Sequence, residues 1–231
     1  MDVIMSPRRS NPQVRPMLVD IAARLLLEEG PQALSTRRIA SEAGCSTMAV
    51  YTHFGGMSGL IREMVHEGFA RLQRHFSRVR ETDDPVADMA LLGRAYRRNG
   101  MANPHLYAVM FGASSISGFS LSRTDRQHGR YTLGSVMRCA ERCIAHGRFQ
   151  TDDPELVAHQ MWIAIHGLVT LELGEYLIAP YTADRCFEAQ LTGLMVSVGD
   201  TWEAATESVA RSQGRLNAEV AGEQEGAGAR R

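Results

Sequence analysis

Three side chains able to touch an anionic surface stand within four positions in the stretch "STMAVYTHFGG", residues 46–56: Tyr51, His53 and, between packing positions, Thr52. A phenol hydroxyl and a ring N–H donate to phosphate oxygens. On a helix starting at Ser46, Val50 and Phe54 share a face and suit packing. Thr47, Met48, Ala49 and Thr52 then point to solvent, small or flexible enough to approach base edges and thymine methyls. The competing reading has Tyr51 and His53 filling the core with Phe54, which would require buried partners for their polar ends.

Other groupings with chemical potential are weaker. Cys139, Cys143 and His146 fall at i, i+4 and i+7 of one expected helix, a spacing open to a metal or an oxidant, but a closed zinc site wants a fourth ligand. Those cysteines are equally ordinary core residues. "GFSLS" at 118–122 ends in Ser122 where a nucleophile elbow has glycine, and no strand precedes it. There is no phosphate-cradling glycine loop and no His-Glu-x-x-His. Nothing in these patterns supports an enzyme, and no cofactor is called for.

The elements that must position the first stretch are helical. Apolar residues recur at helical spacing almost throughout and alternating runs are scarce, so the chain is expected to be all-α, with about nine helices. An arm, residues 1–12, precedes a helix over 13–29 that stops at Gly30-Pro31. A second helix runs from a Ser35 N-cap to Gly44, and a third from a Ser46 N-cap to Gly55-Gly56. Two short helices joined by Gly44-Cys45-Ser46 have helix-turn-helix spacing. A fourth, over 58–80, carries Ile61, Val65, Phe69, Leu72, Phe76 and Val79 on one face. The expected division is a head over 13–57, a connecting helix over 58–80, a body over 81–210 and a disordered tail over 211–231. In the body, helices are expected over 85–99, 104–112, 130–146, 154–177 and 183–209, with a long polar loop at 113–129.

Charge agrees with a head that meets an anion. The chain carries a net −1, yet residues 1–80 hold 11 Arg against 7 acids, and the remainder 14 Arg against 19. A modestly basic head on an acidic body fits a nucleic-acid or anionic-surface binder. Every basic residue is arginine. Four cysteines without C-x-x-C spacing and no secretory segment point to a reducing, cytoplasmic setting. The apolar run Met161–Leu173, broken by His166 and Glu172, reads as too short for a membrane span.

The head resembles the TetR family of one-component transcriptional regulators. The matching residues are Thr36-Arg37-Arg38-Ile39-Ala40, Ala43-Gly44, Ser46, Val50-Tyr51, His53-Phe54 and Leu60. The resemblance implies base reading by Arg37, Thr47, Met48 and Ala49, and phosphate anchoring by Thr36, Tyr51, Thr52 and His53. Where the family commonly has a lysine at the start of the fourth helix, this chain has Met57. Binding is therefore expected to lean on Arg37, Arg38, the arm residues Arg8, Arg9 and Arg15, and the dipole of that helix.

The resemblance further implies a repressor that binds double-stranded DNA with an inverted-repeat operator as a homodimer and is released by a small hydrophobic effector. The alternatives are a regulator sensing a metal or redox state through Cys139, Cys143 and His146, and an architectural DNA binder with the head but no ligand. Its dimer helices map to 154–177 and 183–209, with Leu168, Leu171, Leu194, Met195, Val198 and Trp202 as contacts; these residues can equally complete the monomer's own core. "NPHLYAVMFG" at 103–112 and "WIAIHGLVTLEL" at 162–173 resemble a Trp-His-Gly subgroup of C-terminal domains. Met89, Leu92 and Tyr96, with Leu106, Tyr107, Met110 and Phe111, and Trp162 with His166, are the candidate cavity walls, or simply packed core. His166 either orients a ligand's carbonyl or carboxylate, or is satisfied by a backbone carbonyl or a neighbouring tyrosine.

Overall fold

The computed structural model describes residues 13–111 and 121–220. Among these, every regular element is helical. In chain order the α-helices are α1 (Val14–Glu29), α2 (Thr36–Glu42), α3 (Thr47–Phe54), α4 (Met57–Arg78), α5 (Pro85–Ala102), α6 (Pro104–Met110), α7 (Arg123–His128), α8 (Leu133–Ala145), α9 (Pro154–Leu173), α10 (Ala183–Ser197) and α11 (Trp202–Glu219). Short 3-10 turns occupy Pro31–Ala33 and Gly129–Thr132. The arm with Arg8 and Arg9, part of the 113–129 segment and the end of the tail lie outside the described residues.

The chain divides into two units. One holds residues up to Gly68 together with His105–Arg126, the other Phe69–Pro104 and the chain from Gln127. In the first unit, α1 ends where Gly30, at φ 78°, donates its N–H to the Leu26 carbonyl and Pro31 forbids continuation. The Ser35 hydroxyl accepts from the Arg38 N–H at 3.2 Å and opens α2. α2 closes in a Schellman motif: Gly44 at φ 62° donates to Ser41 O, and Cys45 N–H reaches Ala40 O. Ser46 does begin α3, but through its carbonyl, which takes the Ala49 N–H at 2.9 Å; its hydroxyl makes no capping bond. Gly55, left-handed at φ 72°, ends it.

Leu18, Leu25, Leu26, Ile39, Val50, Leu60, Ile61 and Met64 are fully buried around these turns. Each contributes about 1.5–3 kcal/mol relative to exposure. α6 packs against α4 in the same unit at Gly68, where a Cβ would stand 2.5 Å from Met110 Sδ. Part of the segment expected as loop is helical: Ser122 caps α7 through Asp125, whose buried carboxylate also takes Arg62 Nε at 2.9 Å.

In the second unit α5 is the pillar, with residues 85–92 buried on every side and α8, α9, α10 and α11 packed around it. Two expectations fail here. The single helix expected over 183–209 is broken, because Gly199 sits at φ 111° against Gln150, and Thr201 starts a new helix by capping Ala204 N–H. Nor does disorder begin at 211: α11 continues to Glu219. It buries Ala205, Ser208, Val209 and Ser212, and is held by charges rather than by an apolar stripe.

Those charges converge on two carboxylates of the α5 N-terminus. Asp88, buried, accepts from Thr82 N–H and Oγ1, from Arg142 Nη1 at 2.8 Å and from Arg215 Nη1 at 2.6 Å. Asp84 caps α5 through Ala87 N–H and takes Arg211, Ser208 and Arg148. Arg215 and Arg80 also hold Glu219. Burial alone would raise the Asp84 and Glu219 carboxyls, but the arginine and N–H donors outweigh it and hold both below their ordinary values.

Replacing Asp88 by Ala leaves Arg142 and Arg215 facing each other without their shared acid, and is expected to cost about 3–5 kcal/mol in urea unfolding. A loss below about 0.5 kcal/mol would mean that water or Glu219 substitutes for it. Acid should act in two stages. Burial keeps His75 and His166 below the ordinary imidazole value, so stability present at pH 7 declines as unfolded imidazoles charge below about 6.5. A second decline begins below about pH 4, as unfolded carboxyls protonate while Asp84 and Glu219 still hold their charge. The second stage should shrink in Asp84→Asn; an unchanged acid limb in that variant would remove Asp84 from the linkage.

Candidate functional site

α3 has a single fully buried residue, Val50. Its other side is bare: Thr47 and Thr52 are exposed, Met48 is 64% and Tyr51 52% exposed, and Ala49 and His53 are half-buried beside them. The Thr52 hydroxyl is bonded within the helix, to Met48 O at 2.8 Å. His53 lies 6.2 Å from the Phe54 ring. Ser46 is exposed at the turn and Thr36 half-buried at the start of α2.

The neighbouring arginines part company. Arg37 is exposed and makes no ion pair among the described residues. Arg38, expected at the same surface, is instead gripped by both oxygens of Glu29, at 2.8 and 2.5 Å, and by Glu42 at 3.3 Å. It ties the end of α1 to α2, and Arg24 joins the knot through Glu28 and Glu42. Arg15 belongs to α1 rather than to a loose arm: it bonds Glu63 at 2.7 Å and lies 5.4 Å over the Phe54 ring. In both cases a carboxylate within reach competes with any external phosphate. Met57 opens α4 half-buried and brings no charge.

In the second unit an apolar cavity of about 40 Å³ is lined by Met89, Leu92, Tyr96 and Trp162, as expected, and also by Phe76 and Met161. Tyr96 OH lies 3.1 Å from His166 Nδ1, so the histidine is satisfied by a tyrosine of the next helix. Leu106, Tyr107, Met110 and Phe111 do not line this cavity; they fall in the other unit, where the Tyr107 and Phe111 rings pack 4.9 Å apart. The α8 wall, Leu133 and Val136, was hidden in the sequence because lining and packing positions share one periodicity. At this size the cavity is contracted, since pockets for drug-sized ligands run to about 300–1,000 Å³. Met89, Met161 and the half-buried Trp162 are the side chains able to give way.

The expected dimer contacts also divide. Met195 is fully buried and Leu168 nearly so, completing this chain's own core. Leu194 and Val198 are half-buried, while Leu171 and Trp202 are exposed, Trp202 at 65%. Ile163, which its helical spacing alone does not distinguish from a core position, is 64% exposed and forms with Leu156 and Leu171 an apolar stripe along α9. α9 is 20 residues long with mean hydropathy 1.3, long and apolar enough to cross a membrane, a test that core helices also pass. The expectation of a run too short to span is thereby corrected, because the helix begins at Pro154.

Cys139 and Cys143 are buried, with Cys139 Sγ donating to Pro85 O at 3.3 Å. The contact with Cys143, then burial, pushes the Cys139 thiol well up, the opposite of a reactive thiolate. His146 is exposed at the end of α8, and among the described residues no three metal-binding side chains come together.

A three-helix head whose last helix is short, bounded by glycine turns and bare along one face defines a helix-turn-helix protein. Residues 18–64 match the tetR family of bacterial regulatory proteins, and residues 89–194 match a tetracyclin repressor-like C-terminal domain. Both stretches of this chain are thus similar to the corresponding domains of TetR-type regulators. It is 29% identical over 154 residues to the HTH-type transcriptional regulators Rv1816 of Mycobacterium tuberculosis and Mb1846 of Mycobacterium bovis, a match covering 63% of this chain. The chain spans 64% of the length of these relatives. A protein of unknown function from Rhodococcus sp. RHA1 shares the fold with TM-score 0.69 and 23% identity, over 84% of this chain and 100% of that one. RolR in complex with resorcinol shares it with TM-score 0.64 and 18% identity, over 86% and 94%.

The divided arginines predict divided phenotypes. Arg37→Ala should flatten the preference among DNA sequences, since a guanidinium on guanine contributes about 1–3 kcal/mol of discrimination. Arg38→Ala should leave the ranking of sequences intact. Competition binding on a panel of single-base operator variants separates the two, and a uniform loss in Arg37→Ala would make it a phosphate clamp.

Proposed function

We propose that the chain is a cytoplasmic, ligand-responsive repressor that binds an inverted-repeat operator as a homodimer and is released by a small hydrophobic effector. The observation that supports the reading is the bare face of α3 beside Arg37, which makes no ion pair among the described residues while Arg15, Arg24 and Arg38 are all paired. Arg37, Thr47, Met48 and Ala49 read bases; Thr36, Ser46, Tyr51, Thr52 and His53 meet the backbone. One such head makes few contacts, so two are needed, about one helical turn or a multiple apart.

The second head comes through α9 and α10. The Leu156–Ile163–Leu171 stripe is the kind of surface a monomer seldom leaves to water, and a hollow beside Ile163, Gly167, Leu171 and Gln190 holds a buried Gln190 oxygen with no partner. The C-terminal domain is assigned to the Trp-His-Gly subgroup on Trp162, His166 and Gly167. The effector occupies the cavity at Met89 and Trp162; the fold neighbour RolR, in complex with resorcinol, supports a one-ring or similarly small apolar ligand. Because α4 contributes residues to both units, it is the lever, and a coupling of about 1–3 kcal/mol between effector and operator is expected.

Selection of bound fragments from random DNA tests the central claim: an inverted repeat should emerge, with salt-sensitive affinity. Enrichment of no sequence, or of an asymmetric one, would refute it. Ile163→Glu should shift the protein to monomers in sedimentation and weaken operator binding by about tenfold or more, the loss that follows when one head must bind alone. A dimeric Ile163→Glu protein would move the interface elsewhere.

A further inference from the structure

Adjoining the apolar cavity, in the same unit, is a second hollow of about 220 Å³ whose lining is mostly polar. Phe76 and Leu92 line both, so the two spaces share a wall made of two side chains. Resting on the effector reading above, we propose that the effector is an amphiphilic monocarboxylate, its acid head in the polar hollow at Arg138 and Gln73 and its apolar body in the adjoining cavity.

The charges of the polar hollow are accounted for with one exception. Asp88 is saturated by Thr82, Arg142 and Arg215; Arg142 is taken by Asp88 and Thr82 O; Arg80 is held by Glu219. Glu81 is mostly exposed at the rim and 3.9 Å from Arg142. Among the described residues Arg138 has no carboxylate, only a 3.3 Å contact with Ser135 Oγ. An unneutralised guanidinium beside a recess favours a planar anion that can take two N–H donors at once.

Gln73 gives the second sign. Its Nε2 donates to Ser135 Oγ at 3.1 Å and Ser77 Oγ at 3.4 Å, while its Oε1 is buried with no partner. Turning the amide about its last bond lets Oε1 accept from the Ser135 hydroxyl and leaves an N–H unpaired instead. In either pose one end of a buried amide is unsatisfied, a costly state that a ligand relieves. With the amide turned, that N–H and the Arg138 guanidinium offer donors to the two oxygens of one carboxylate. A rotation of Phe76 opens the shared wall and lets an attached alkyl or phenyl group reach Met89 and Trp162, which a purely polar anion has no reason to do.

Isothermal titration calorimetry of the full chain with octanoate, octan-1-ol, 3-phenylpropionate and 3-phenylpropan-1-ol tests this. Each acid is expected to bind about tenfold tighter than its alcohol or better, the scale of one charge-assisted hydrogen-bond pair. Arg138→Gln and Gln73→Leu should erase the acid's advantage while moving the alcohols by less than about twofold; circular dichroism melting confirms that both variants fold. Equal binding of acid and alcohol, or an advantage that survives both substitutions, overturns the carboxylate head and leaves the apolar cavity as a ligand site. If none of the four compounds binds, the effector reading falls with it. Operator selection judges the DNA-binding reading separately.

Discussion

An eight-residue helix is not stable in water by itself, because the cost of starting a helix is spread over too few hydrogen bonds. α3 exists only because its surroundings impose it, and the head follows from that constraint. Glycines in the left-handed region stop the chain at both of its ends, and Val50 alone plugs it into the core. A helix so held can expose Met48 and Tyr51 without loosening. What would be a defect in a free peptide becomes a rigid presentation of side chains to a partner.

The frame that holds α3 consumes most of the charge nearby. Arg38, Arg24 and Arg15 brace α1 to α2 and α4 through Glu29, Glu42 and Glu63, each an exposed pair of small individual benefit. Their collective effect is selective: they engage three cations and leave Arg37 without an ion pair among the described residues. The body uses arginine in the opposite regime. Buried Asp88 can remain charged only because two guanidiniums and two Thr82 donors surround it, and the resulting knot fixes α8 and α11 on the first turn of α5. The pillar that carries Met89, Leu92 and Tyr96 is thereby anchored at one end, which leaves side-chain motion rather than helix motion as the way for the cavity to grow.

Much of this was legible before any coordinates, and what was not shares a physical character. Glycine and proline punctuation placed α1 to α4 within a few residues, because Gly30-Pro31, Gly44 and Gly55-Gly56 act locally. The all-helical class followed from periodicity. The continuation of α11 to Glu219 was invisible because its contacts are Ser208, Ser212, Arg211 and Arg215, residues whose composition also suits a solvated tail. The pairing of Arg38 with Glu29 crosses nine positions and a turn, and no local rule reports it. Met195 and Ile163 show the same limit: both are apolar on helical spacing, and only packing decided that the first points inward and the second out.

The contracted cavity completes the argument about response. A ligand shifts an equilibrium only by its difference in affinity for the two states. Were the pocket already wide and preformed, an effector could fill it without favouring either state of the head, however tightly it bound. On the proposed reading a ligand's body enters a space of about 40 Å³, and its occupation would require Phe76, Met161 or Trp162 to move. Phe76 belongs to α4, the helix that begins two residues beyond the glycine ending α3. On that reading the same narrowness that weakens binding would give the ligand something to change, in a wall that includes a side chain of α4.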